Sequence, residues 1–220
     1  MYSFLIRFIR RLKAAKQITA NSNTSFYFSK EIDFHLHPSS SIIIKKGVTL
    51  IGVNLDPKFP HATKSKSIIA LGMNSKLIIE DNLIIAPGCE IRIKDNGVLT
   101  FCGENRIDHN FSITCTNKIT IGYRTLMSWN ITIIDDHGHT WIGPNEKRIK
   151  GSSLPMNIGK NVGLLMNTTL LNGIQIGDNS IIGPNLVLRK SAPENCMVYH
   201  NPDLKIKKGF KMLPIGESES

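Results

Sequence analysis

This 220-residue sequence predicts an all-β prism of stacked short strands, a parallel β-helix. Three observations carry the prediction: an aliphatic residue recurs every sixth position, a small or apolar residue follows four places after each, and glycine or polar residues fill the gaps. From residue 158 the aliphatics are Ile158, Leu164, Leu170, Ile176, Ile182 and Leu188. Their followers are Val162, Thr168, Ile174, Ser180, Leu186 and Ala192, with Gly159, Gly177 and Gly183 directly behind three of the aliphatics. The beat is also present at Ile121, Met127 and Ile133, with Thr125 and Ile131 four places on. It continues less cleanly between residues 77 and 115, as at Ile79, Ile85 and Ile91.

Period six matches neither a helical face nor strict strand alternation. It suits a triangular prism with one hexapeptide per side, the aliphatic pointing inward and the polar or glycine positions turning the corners. Three hexapeptides close a coil, and coils stack at about 4.8 Å, the ordinary strand spacing. The prism is placed at residues 40–195, with a smaller excursion at 53–67 and a tail at 196–220 that packs back on the last coils. Between Ile133 and Ile158 the stretch IDDHGHTWIGPNEKRIKGSSLPMN has no period. A structureless segment of roughly 20 residues in a compact fold is usually functional, so residues 135–157 are read as a loop extruded at a corner.

Residues 1–20 form a separate basic element. Arg7, Arg10, Arg11, Lys13 and Lys16 supply five of the net ten positive charges, with no acid before residue 17. At 100° per residue Phe4, Leu5, Phe8, Ile9 and Leu12 share one face and the arginines lie opposite. Two readings stand: an interfacial helix on anionic lipid through residues 1–16, or a cap over one end of the solenoid. Arg7 interrupts the apolar run a secretory signal needs. No stretch approaches the roughly 20 apolar residues of a membrane span. Without CxxC pairs, Cys89, Cys102, Cys115 and Cys196 read as reduced cytosolic thiols. Nothing interleaves basic and aromatic residues as a nucleic-acid surface would.

Three segments resemble the hexapeptide-repeat acyltransferases, and more narrowly the sugar and capsular-polysaccharide O-acetyltransferases. ITIGYRTLMSWNITIIDDHGH (residues 119–139) is similar to the family stretch ending D-x-D-G-H. GIQIGDNSIIGPNLVLRKSAPENC (173–196) is similar to the terminal coils. VYHNPDLKIKK (198–208) corresponds to the AGNPAKIIKK tail. The resemblance spans about residues 77–208 and implies a left-handed β-helix that works as a homotrimer with acetyl-CoA as co-substrate. It further implies active sites between neighbouring prisms, where the loop of one subunit reaches another.

By that resemblance His139 is the general base. The chemistry is reasonable, because a sugar hydroxyl is too weakly acidic to ionise at neutral pH and an imidazole can take its proton during attack. Asp135 matches the first acid of the motif, as an orienting group or a cap on the loop root. His137 replaces the second acid, and with Asn130 is assigned to acceptor contact. Lys190 matches the lysine after the last coil, expected near the CoA phosphates; Lys205, Lys207 and Lys208 add to that phosphate-binding region, with Gly177, Gly183 and Asn201 assigned to the same cofactor region. The family's W-I-G after IGxNV is here Gly163-Leu164-Leu165, and its tail Ala-Gly is Tyr199-His200.

No metal is expected. A γ-class carbonic anhydrase shares the prism but needs an H-x4-H pair, and His137 and His139 are two apart, with His109 the other nearby histidine. The expected function is acetyl transfer to a sugar hydroxyl of a surface polysaccharide or its precursor, a lipid-linked acceptor included. The expected location is the cytoplasm, at the inner membrane face. The alternative is a non-catalytic trimeric β-helix that scaffolds glycan assembly.

Overall fold

The computed structural model describes residues 10, 12–54, 66–136, 140–142, 148–150, 153–199 and 205–208, with the backbone alone at 140–142, 148–150 and 205–208. It is a left-handed parallel β-helix with three sheets as faces. The first face runs from Ile18–Ala20 through Ser41–Ile44, Lys76–Ile79, Val98–Phe101, Lys118–Ile121 and Met156–Ile158 to Gln175–Ile176. The second begins at Thr24–Phe28 and climbs through Leu126–Met127 and Gly163–Leu164 to Cys196–Tyr199. The third runs from Ile32–Leu36 to Val187–Leu188.

Each face is held by in-register stacking of its inward residue. On the first face Ile44, Ile79, Phe101, Ile121, Ile158 and Ile176 are successive register partners. On the third, Ile69, Ile91, Ile113, Ile133, Leu170 and Leu188 are. All twelve are buried in one apolar core. At about 1.5–3 kcal/mol for each fully buried aliphatic, this column is the main source of stability. The residues four places on are buried too, and the polar ones are bonded across coils. Thr125 Oγ1 donates to Gly159 O (2.9 Å), Thr168 Oγ1 to Gly183 O (3.0 Å) and Ser180 Oγ to Pro193 O (2.9 Å).

The corners need a backbone that turns sharply, and asparagine supplies it. Asn110, Asn130, Asn167 and Asn185 all have φ between 57° and 59°, a left-handed conformation that asparagine tolerates better than other side-chain-bearing residues. Their amides form a ladder: Asn110 Nδ2 donates to Asn130 Oδ1 (3.0 Å), Asn130 to Asn167 (2.9 Å) and Asn167 to Asn185 (2.9 Å). A second ladder joins Asn161, Asn179 and Asn195 at the corner between first and second faces.

Four features differ from the sequence expectation. The parallel coils begin at Ile18, not near residue 40, because strands in 18–36 already stack beneath the second coil. The helical residues 12–15 lead directly into that first strand. The extruded loop is not wholly irregular: Thr140–Ile142 pairs antiparallel with Arg148–Lys150. After residue 196 the chain adds a strand, Cys196–Tyr199, parallel to the second face, and Lys205–Lys208 returns antiparallel against it.

All four cysteines are free thiols, three buried and Cys102 half-buried. Burial pushes Cys89 up to about 11 and Cys115 up to about 12, the latter with Asp135 nearby. A thiol reagent at about pH 8 should therefore modify Cys102 alone in the native protein and all four after denaturation. Early labelling of Cys89 or Cys115 would contradict this packing.

Candidate active site

The loop that carries the histidine motif leaves the prism after the third-face strand Thr132–Ile134 and returns to the first face at Met156–Ile158. Its outgoing root is fixed by two adjacent carboxylates that reach the coil below. Asp135 is fully buried, and its Oδ1 and Oδ2 accept the backbone N–H groups of Thr116 (2.6 Å) and Asn117 (2.8 Å). Asp136 Oδ2 accepts from Lys94 Nζ (2.6 Å) and Thr116 Oγ1 (3.4 Å).

The returning end meets the same coil. Asn117 Nδ2 donates to Ser153 O (3.0 Å), so this residue ties down the outgoing end through its backbone and the returning end through its side chain. Leu154 N–H then donates to Asn172 Oδ1 (2.6 Å) on the next coil. Both ends of the loop are thus pinned to the rigid body, the arrangement a loop-borne catalytic group requires. Asn117 escapes a sequence reading because its two partners lie 18 and 36 positions away. His137 and His139 lie outside the described residues, between this root and the hairpin.

Asp135 therefore has a definite structural task, capping the 116–117 corner. Burial raises its carboxyl above the ordinary 3.8, with the two backbone N–H groups working against that rise. Asn130 occupies a left-handed corner with both ends of its amide committed to the ladder. Gly177 and Gly183 serve close packing: a Cβ on Gly177 would collide with the backbone of Glu194, and one on Gly183 would come within 2.9 Å of Val198 O. Lys190 is exposed just beyond the last third-face strand. Lys205 is on the returning strand, paired with Tyr199, and its side chain lies outside the description, as does Asn201.

A groove of about 250 Å³ lies on the second face, and the sequence reading did not assign it. Arg106, Asp108, Leu126, Ser128, Gly163 and Leu165 are among its walls. It exists because Gly163 takes an outward position between Leu126 and Ile181, its register neighbours. The same outward column carries Leu50, Ile84, Leu126, Ile181 and Met197, all half-buried, and is broken by the exposed Arg106 between Ile84 and Leu126. The matching first-face positions are polar in the upper coils, with Thr100, Thr120, Asn157 and Gln175. Leu165, where the family carries glycine, stands on the groove's rim at 36% exposure. The groove and the loop root belong to different faces, so one chain does not bring them together.

Residues 155–190 match the bacterial transferase hexapeptide family, described as six repeats. These are the coils whose inward column was described above. Over these coils the chain is similar to the hexapeptide-repeat acyltransferases. It is 29% identical over 139 residues to the putative lipopolysaccharide biosynthesis O-acetyl transferase WbbJ of Escherichia coli, covering 58% of this chain and 69% of that one. It is 31% identical over 131 residues to the putative acetyltransferase YJL218W of Saccharomyces cerevisiae, covering 58% of this chain and 64% of that protein, just under two thirds of its length. Among solved structures, the polysialic acid O-acetyltransferase OatWY superposes with a TM-score of 0.60 at 23% identity, covering 92% of each chain, and shares the fold.

Because the folded carboxyl of Asp135 is easier to protonate than the unfolded one, its contribution to stability is fullest below the ordinary 3.8. That contribution is lost as pH rises through the elevated value. Wild type should lose ground to Asp135→Asn in unfolding temperature as pH is raised from about 4 to about 7. A wild-type advantage that widens over this range would contradict the assignment.

Proposed function

We propose that this hexapeptide-repeat protein is an acetyl-CoA-dependent O-acetyltransferase acting on a sugar hydroxyl of a surface polysaccharide or its precursor. The observation that carries the proposal is the doubly anchored loop, which leaves the prism beside Asp135 and bears the D-D-H-G-H stretch. The names of the sequence relatives, an O-acetyl transferase and a putative acetyltransferase, support the reaction class.

In the proposed reaction His139 accepts the proton of the acceptor hydroxyl as that oxygen attacks the thioester carbonyl. The C–O bond forms, the tetrahedral intermediate collapses with cleavage of the C–S bond, and the thiolate of CoA takes the proton back from the imidazolium. Products are the sugar ester and free CoA, with no covalent enzyme intermediate and no metal needed. Asp135 holds the root of the loop that carries His139 in its sequence. His137 and Asn130 are assigned to the acceptor side, and Lys190, Lys205 and Asn201 to the CoA phosphates, beside the close-packed turns at Gly177 and Gly183.

The working unit is proposed to be a homotrimer in the cytoplasm. The outward apolar residues Leu126, Ile181 and Met197 on the upper part of the second face support packing of prism against prism. Because groove and loop root lie on different faces of one chain, a neighbouring copy is the natural way to bring them into one site. Among the described residues no helix is long and apolar enough to cross a membrane.

Steady-state kinetics of His139→Ala test the base assignment. Loss of general-base catalysis should lower kcat by about 10²–10⁴ while leaving acetyl-CoA binding intact. Unchanged turnover would remove His139 from the mechanism. Loss of acetyl-CoA binding with an intact trimer would favour a non-catalytic scaffold.

A further inference from the structure

At the N-terminal end of the prism, no strand among the described residues stacks beneath the first coil. Phe26 occupies an inward register position, partnered by the buried Thr49 of the coil above, yet it is 45% exposed. Beside it Tyr27 is 52% exposed, and the two line an apolar groove with Leu12, Ala15, Ile18 and Phe28.

The helical residues 12–15 pass this end without closing it. They are attached by Ala14, which is buried, and by Arg10, whose guanidinium donates to both oxygens of Asp33 (3.0 and 3.2 Å). Leu12, on the apolar side of the helical pattern, is 56% exposed. Among the described residues of this segment, a small residue and an ion pair grip the body while the large apolar side chain, Leu12, is left to solvent. A packing cap would do the reverse.

Cations accompany this apolar edge. Lys13 and Lys16 are exposed, three positions apart and next to Leu12 and Ala15. Arg10 and Asp33 satisfy each other, which leaves Lys13, Lys16 and Lys30 against Glu31 in the described part of residues 10–36. Exposed aromatic and aliphatic groups ringed by lysine are the combination that partitions into the headgroup region of an anionic bilayer.

We propose that the N-terminal end of the prism docks on an anionic phospholipid surface, inserting Leu12, Phe26 and Tyr27 with Lys13 and Lys16 at the headgroups. The prism axis then stands away from the membrane, so the loop root and the second-face groove are held above the surface rather than pressed against it. This docking does not depend on the acetyl-transfer reading.

The full-length protein is to be sedimented with phosphatidylcholine vesicles, with and without about 30 mol% phosphatidylglycerol. Wild type should bind the anionic vesicles, bind neutral ones at least tenfold more weakly, and release as salt is raised. The double variants Leu12→Ser/Tyr27→Ser and Lys13→Glu/Lys16→Glu, all at exposed positions, should each lower binding about tenfold with unchanged unfolding temperature. No wild-type binding, or equal binding to both vesicle types, would overturn the proposal. So would variants that bind like wild type while deletion of residues 2–9 abolishes binding, since the preceding segment would then be the membrane contact. A partner protein in place of lipid would appear as the first of these outcomes.

Discussion

Everything in this molecule depends on the inward column: each coil must set one aliphatic side chain directly over that of the coil below, at the spacing of hydrogen-bonded strands. The requirement fixes the corners, because the chain has to turn sharply three times per coil without losing register. It also fixes which residues can stand there. Asparagine in the left-handed conformation makes the turn, and its amide then bonds to the asparagine one coil away, so one residue type meets both demands. Where the next coil comes too close for any side chain, as at Gly177 against Glu194, glycine is required for packing whatever else passes nearby.

A rigid prism of this kind has little chemistry of its own, since its faces are strands and its interior is closed. Reactivity has to be added where the ladder is interrupted. The interruption after Ile134 is anchored with unusual care: Asp135 and Asp136 hold the outgoing chain and Asn117 holds both ends. The cost is a buried carboxyl whose ionised form the fold disfavours. A second addition lies on the second face, where Gly163 opens a groove between Leu126 and Ile181, with Arg106 and Asp108 among its walls. In the proposed homotrimer, loop and groove on separate faces would give assembly a chemical role as well as a structural one.

The upper coils were legible because their length is regular: Ile176 follows its register partner Ile158 by 18 positions, three hexapeptides. Below them Leu99 follows Leu77 by 22 and Ile119 follows Leu99 by 20, so extra corner residues blur the period without disturbing the stacking. The first coil went unrecognised for a related reason. TSFYF carries exposed aromatics at both inward and outward positions, as only a terminal coil can. The hairpin in the loop has a turn signal in Gly143-Pro144-Asn145, but strands of three residues on either side are too short to show a period. Asp135 was legible as a motif residue, but its partners at 116 and 117 become neighbours only when one coil is laid on another. The same holds for Asn117 and for the groove, since both are products of the register between coils and not of local sequence.

The central claim is that this prism serves acyl transfer from a thioester donor. Calorimetric titration of the full-length protein with acetyl-CoA tests it without knowledge of the acceptor. The account predicts saturable binding that free CoA competes away, despite the bulk of Leu165 and Tyr199 near the expected path. A folded, trimeric protein that takes up no acetyl-CoA would contradict it and leave the rooted loop to a binding role.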